Sequence, residues 1–184
     1  MPAERPAAAV VLGHGAGGGI GARDLIAAAE AANDVGFSAA LIEQPYRVAG
    51  RRNQPAASQL DAAWLAVIGQ LRAGELRDLP LVVGGRSAGA RVACRTATEA
   101  EAIAVLCLAF PLHPPGRGDD PTKSRIGELQ GVKVPVLVVQ GARDPFGMPP
   151  RGRRRKVVQV PGDHSLRDTA AVTAAVAKWL PGLL

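Results

Sequence analysis

The chain has 184 residues, 47% of them hydrophobic, only 3% aromatic, and a formal net charge of +6. That length suits one domain, which can bury roughly 70% of its unfolded surface without disulfide or metal staples. The scarcity of aromatic side chains argues against nucleic-acid binding by base stacking.

The first six residues enter an apolar run, Ala7 to Leu12, read as the first strand. The run stops at Gly13-His14-Gly15, too early for a secretory core or a membrane span, so the expected setting is the cytoplasm, with no membrane partner. Gly13 to Gly21 is a glycine-rich loop. A helix is expected from about Asp24 to Val35, with Gly36 as its stop. Ala39 to Ile42 reads as the second strand, closed by Gln44-Pro45, and Arg47 to Pro55 as a polar loop. Ser58-Gln59-Leu60-Asp61 reads as a capping box. It would open a helix whose Leu60, Trp64, Val67, Ile68 and Leu71 form one apolar stripe.

Leu79 to Gly84 is the third expected strand, with a helix starting at Ala88. Ile103 to Phe110 is the fourth. A Pro-rich loop follows from Pro111 to Pro121, then a short helical stretch near Ser124 to Gln130. Val134 to Val139 and Lys156 to Val160 are the fifth and sixth strands, and the last helix runs from about Leu166 to Leu180. Strands without polar alternation are buried on both faces, the pattern of a parallel sheet between helices. The expected fold is α/β: one doubly wound domain over residues 1–184, with a mostly parallel six-stranded sheet and helices on both faces.

Ligands of such sheets bind at the carboxyl ends of the strands. Reading those ends in turn gives His14 after the first strand, Ser87 after the third, Asp144 after the fifth and His164 after the sixth. Ser87 stands in Gly85-Arg86-Ser87-Ala88-Gly89, a Gly-x-Ser-x-Gly motif directly after a strand. Each of these residues has a plainer reading. Ser87 could cap its helix, Asp144-Pro145 could be a turn, and His164 could be a surface loop residue. Asp163 is a rival acid, although a residue adjacent to His164 is poorly placed to orient it.

This order and placement resemble the α/β-hydrolase superfamily over nearly the whole chain. The motifs His14-Gly15-Ala16-Gly17-Gly18, Gly85 to Gly89, Pro111-Leu112-His113-Pro114-Pro115-Gly116 and Gly162-Asp163-His164-Ser165 carry the likeness. They are similar to a small branch with testis-expressed-type proteins and a subunit of a chromatin acetyltransferase complex, and more distantly to dienelactone hydrolases. The resemblance implies Ser87 as nucleophile, His164 as base and Asp144 as acid. It implies an oxyanion hole from the N–H groups of Ala88 and of Ala16 or Gly15. His14, Arg86, His113 and Met148 are candidate pocket residues, with His14 expected to brace its loop rather than react.

Arg86 calls for a partner. Glu43 is the candidate, with a substrate carboxylate as the rival. Nothing before Ala7 supplies the leading antiparallel strands of larger hydrolases, and Pro111 to Lys133 is too short for a lid domain. The expected substrate is therefore a small ester or thioester, hydrolysed through an acyl-enzyme. The alternative is a non-catalytic binding or scaffold protein on the same fold. No cofactor is implied, and no metal-ligand spacing is present. Cys94 and Cys107 read as buried small hydrophobes in a reduced compartment. The run Arg151 to Lys156 reads as a solvated loop before an edge strand, with nucleic acid as the less favoured partner.

Overall fold

The computed structural model describes residues 6–118 and 120–184. The reading of the first five residues lies outside them. Six strands form one sheet: β1 (Ala8–Gly13), β2 (Phe37–Ile42), β3 (Leu81–Arg86), β4 (Ala104–Leu108), β5 (Val136–Gly141) and β6 (Arg155–Val160). Their order is β2-β1-β3-β4-β5-β6, and every neighbouring pair is parallel. The chain moves one way from β1 to β2 and the other way from β3 onward. The switch point lies between β1 and β3, and a crevice opens there beyond their carboxyl ends.

Alternation sorts the strand residues onto two faces. Ala9, Val11, Val83, Cys107 and Val138 pack beneath α3 (Ala57–Ala73), α4 (Ala88–Thr96) and α5 (Ile126–Gly131). Val10, Leu12, Val82, Leu106 and Leu137 pack beneath α1 (Arg23–Asp34) and α6 (Thr169–Trp179). Both faces are thus dry, which explains the unbroken apolar runs. β6 is half exposed, as an edge strand should be.

Several boundaries differ from expectation. β2 begins earlier, at Phe37, and β3 and β5 run on to Arg86 and Gly141. Part of the expected polar loop is a single helical turn, α2 (Pro45–Val48). Ser58 forms no capping box. Pro55 leads the chain into an extended Ala56, which is the N-cap, and Ser58 is already inside the first turn. The stripe on α3 holds: Leu60, Trp64 and Ile68 are buried, and Val67 and Leu71 pack against the same core. Cys94 and Cys107 are both buried free thiols whose sulfurs share a hydrogen bond at 3.5 Å. No described helix is long and apolar enough to cross a membrane.

Several glycines lie against backbone with no room for a side chain. A Cβ on Gly85 or on Gly89 would collide with the carbonyl oxygen of Gly13. A Cβ on Gly141 would collide with the carbonyl oxygen of Asp163. Backbone cannot yield as a flexible side chain can, so Gly89→Ala is expected to destabilise the fold by about 2 kcal/mol or more. Urea denaturation of the variant against the parent chain checks this.

Candidate active site

β3 delivers Ser87 to the switch point. Its N–H donates to the carbonyl of Leu108 at the end of β4 (2.9 Å), which fixes the turn from below. Ser87 has φ 52° and ψ −108°, a left-handed conformation that costs a non-glycine residue roughly 1–3 kcal/mol. It is the residue before α4 but makes no side-chain cap bond to it. The hydroxyl instead meets Nε2 of His164 at 2.9 Å.

His164 lies on the loop after β6. Its Nδ1 meets Oδ2 of Asp144 at 2.8 Å. The Asp144 side chain is fully buried, whereas that of His164 is 16% exposed. With Nδ1–H donating to the carboxylate, Nε2 is the acceptor for the serine hydroxyl. Phe146 packs edge-on against the imidazole, ring centroids 4.4 Å apart. The three residues read from separate strand ends are therefore one hydrogen-bonded chain. Asp163, the rival acid, caps the next turn through Ser165 N–H (2.9 Å) and is exposed. Those bonds, Ser165 N–H first, hold its carboxyl below the ordinary value.

Asp144 is itself held. Its Oδ1 accepts the N–H of Phe146 (2.9 Å), and its Oδ2 also accepts Nε2 of Gln140 (2.8 Å). Gln140 is wholly buried near the end of β5, and its amide also reaches the carbonyls of Gly147 (2.9 Å) and Phe110 (3.1 Å). Sequence reading missed it. A polar residue that ends a buried strand four positions before an acid is the signal that could have found it.

His14 is buried and bonded at both ring nitrogens. Nε2 accepts the N–H of Gln44 (3.0 Å), so Nδ1 carries the proton and donates to the carbonyl of Gly15 (2.7 Å). The ring joins the loop after β1 to the end of β2. Tyr46 adds a long bond from its hydroxyl to the carbonyl of Ala16 (3.4 Å). The N–H groups of Gly15, Ala16 and Ala88 donate to no acceptor among the described residues. A cavity of about 350 Å³ lies behind this loop, lined by Gln44, Tyr46, Arg51, Pro55 and Leu60 among others; it touches none of Ser87, His164 or Asp144. His113 is half-buried beside the acid loop, its N–H donating to the carbonyl of Phe146 (2.9 Å), and Met148 is partly exposed on that loop.

Arg86 does not pair with Glu43. Its Nε donates to Oδ2 of Asp24 (2.9 Å), and its Nη2 donates to the backbone carbonyl of His164 (3.1 Å). Glu43 is exposed, whereas Asp24 is buried in the first turn of α1. Burial raises the Asp24 carboxyl above its ordinary value, and the Arg86 charge opposes that rise. Arg86 also packs under Gly15, where a Cβ would approach Nη1 to 2.8 Å. One side chain thus touches the elbow, the loop after β1, the start of α1 and the loop bearing the imidazole.

A family model described as an alpha/beta hydrolase domain matches residues 6–173. The chain belongs to the alpha/beta hydrolase family. Among solved structures, Est1E from Butyrivibrio proteoclasticus with bound ferulic acid is 17% identical, at a TM-score of 0.77 over 97% of this chain and 90% of that one. A serine hydrolase of Xanthomonas campestris described as lacking a lid is 20% identical, at 0.72 over 98% and 87%. A serine hydrolase homologue from Coxiella burnetii is 15% identical, at 0.73 over 95% and 88%. At these identities the likeness is one of fold. Comparison with curated proteins finds no match. Family and neighbours together support a hydrolase.

Removing the guanidinium of this alpha/beta hydrolase leaves the Asp24 carboxylate buried without its cation. Arg86→Gln is expected to cost about 3 kcal/mol of stability, and Arg86→Lys less, read as shifts of the urea midpoint.

Proposed function

We propose that the protein is a serine esterase or thioesterase acting on small acyl substrates through an acyl-enzyme on Ser87. The observation that carries this reading is the unbroken chain from Ser87 Oγ through His164 to Asp144, mounted on a left-handed residue at the switch point. A serine hydroxyl is a poor nucleophile until a base accepts its proton.

His164 Nε2 takes that proton as Oγ attacks the substrate carbonyl. Asp144 holds the imidazole with Nδ1 protonated and stabilises the cation that forms. The oxyanion is received by the N–H of Ala88, at the start of α4, and by that of Ala16 or Gly15. His164 then returns the proton to the departing alkoxide or thiolate. In the second half-reaction water gives its proton to His164 and attacks the acyl carbonyl, and the proton returns to Ser87 as the acid leaves. His14 keeps the second donor loop in place without exchanging a proton of its own.

Among its described residues, the connection between β4 and β5 holds a 3₁₀ turn (Pro121–Lys123) and the short α5, which supports an open site and a small substrate. An esterase domain from Rhodothermus marinus is among the structural neighbours, and Est1E holds ferulic acid, which also favours an acyl substrate. The finer likeness to the testis-expressed-type branch rests on the loop motifs around His14, Ser87, His113 and His164.

A fluorophosphonate probe is expected to label Ser87 in the parent chain and to leave Ser87→Ala unlabelled. Failure to label a folded parent chain would favour the non-catalytic binding reading. Asp144→Asn is expected to lower kcat on a short p-nitrophenyl ester by about 10³–10⁴-fold.

A further inference from the structure

Ala88, Arg91 and Arg95 lie at spacings of three and four along α4 and therefore share one face. Together with Gln54 and Pro55, which precede α3, and Ala57 and Leu60 from its first turn, they line a cavity of about 100 Å³. Ala88 immediately follows Ser87, so the cavity begins one residue from the nucleophile, although Ser87 itself does not line it. It lies on the α3 side, and no residue of the His164 loop lines it. The leaving group must stay within reach of His164 to collect its proton. The acyl chain is therefore the part that turns toward α3 and α4.

Positive charge exceeds negative charge around this wall once Arg125, which lies behind it and does not line the cavity, is included. Arg91 donates Nε and Nη2 to the two oxygens of Glu128 (2.9 and 2.6 Å). Arg95 donates Nε and Nη2 to Asp61 (2.8 and 2.6 Å) and Nη1 to Glu128 (3.1 Å). Arg125, close by, meets only backbone carbonyls, those of Pro111 (3.2 Å) and His113 (3.4 Å). Burial first, and the neighbouring Arg91 charge second, push Arg125 below the ordinary arginine range. Three guanidiniums thus share two carboxylates. Nη1 of Arg91 has no acceptor among the described residues and is not sealed from solvent. A guanidinium with a free N–H, fixed by its other two nitrogens, is preorganised for an anion.

We propose that this cavity is an acyl subsite for a carboxylate, so that the preferred substrates are half-esters or thioesters of short dicarboxylic acids. The inference rests on the serine-hydrolase reading and narrows its substrate class. The cavity holds about three water volumes, room for a carboxylate on a chain of the succinyl or glutaryl kind.

The test compares monoethyl glutarate with ethyl pentanoate, acyl chains of equal length with and without the charge. Acid release is followed at constant pH, and p-nitrophenyl acetate serves as an uncharged reference. The parent chain is expected to favour the half-ester by about tenfold in kcat/KM, with the ratio shrinking as salt is added. Arg91→Gln should bring the ratio near one, and Arg91→Lys should keep part of it. A parent chain that hydrolyses the neutral ester as well as the charged one overturns the inference and leaves the hydrolase reading standing. So does an Arg91→Gln ratio equal to that of the parent. If Arg91→Gln does not fold, the parent ratio and its salt dependence decide. No turnover of any of the three esters would sink the hydrolase reading and this inference with it.

Discussion

The carbonyl of Gly13 faces the backbone of both Gly85 and Gly89, and no side chain fits between them. The whole site depends on that approach. It brings the end of β1 against the turn from β3 into α4, and so sets the loop of Gly15 and Ala16 beside Ser87. The flanking glycines of the elbow are usually credited with allowing a sharp turn. Here the left-handed residue is Ser87, whereas Gly85 and Gly89 have no positive φ and are required by their neighbour. A second approach of the same kind, Gly141 against the carbonyl of Asp163, brings the acid loop to the base loop. Two glycine contacts therefore assemble four strand ends into one site.

Arg86 then ties those parts together electrostatically. A guanidinium next to the nucleophile would be costly in a buried sheet if it stood alone. It is bonded to Asp24, on the first turn of α1, and to the carbonyl of His164. The bond to the backbone carbonyl restrains where the imidazole stands without touching the ring itself. His14 does a comparable job on the other side, fixed as the Nδ1–H tautomer by the N–H of Gln44. Neither residue needs to meet substrate to matter. Arg86 holds the loop of His164, and His14 holds the loop of Gly15 and Ala16.

The strand ends explain what was legible in the sequence. Ser87, Asp144 and His164 each follow a short apolar run, and a parallel sheet sends all such positions to one edge. Their order along the chain then sufficed to single them out, and the structure brings the three into contact. Pairings that depend on which way a side chain leaves its strand were not legible. Arg86 turns toward the α1 layer, and its partner lies 62 positions away, so the nearer strand end at Glu43 was the natural but mistaken choice. Gln140 was hidden for the opposite reason: it continues an apolar strand and does its work from inside it. At Ser58, local cap chemistry was overruled by Pro55, which starts the helix two residues too early for the hydroxyl to serve.

Charge is unevenly placed, and its placement bears on selectivity. The run Arg151 to Lys156 enters β6 at the amino-terminal edge of the sheet, away from Ser87. Arg91, Arg95 and Arg125 instead cluster beside the nucleophile helix. In an open site an acyl chain remains largely in contact with water. Each methylene that does become buried contributes only about 0.8 kcal/mol, and partial burial contributes less. A charge-assisted hydrogen bond is worth about 1.5–3 kcal/mol and needs only one well-held donor. At an open site a fixed guanidinium therefore discriminates more than apolar surface does. The carboxylates of Asp61 and Glu128 hold the guanidiniums rigid while leaving one positive charge uncompensated, which is the condition such a donor requires.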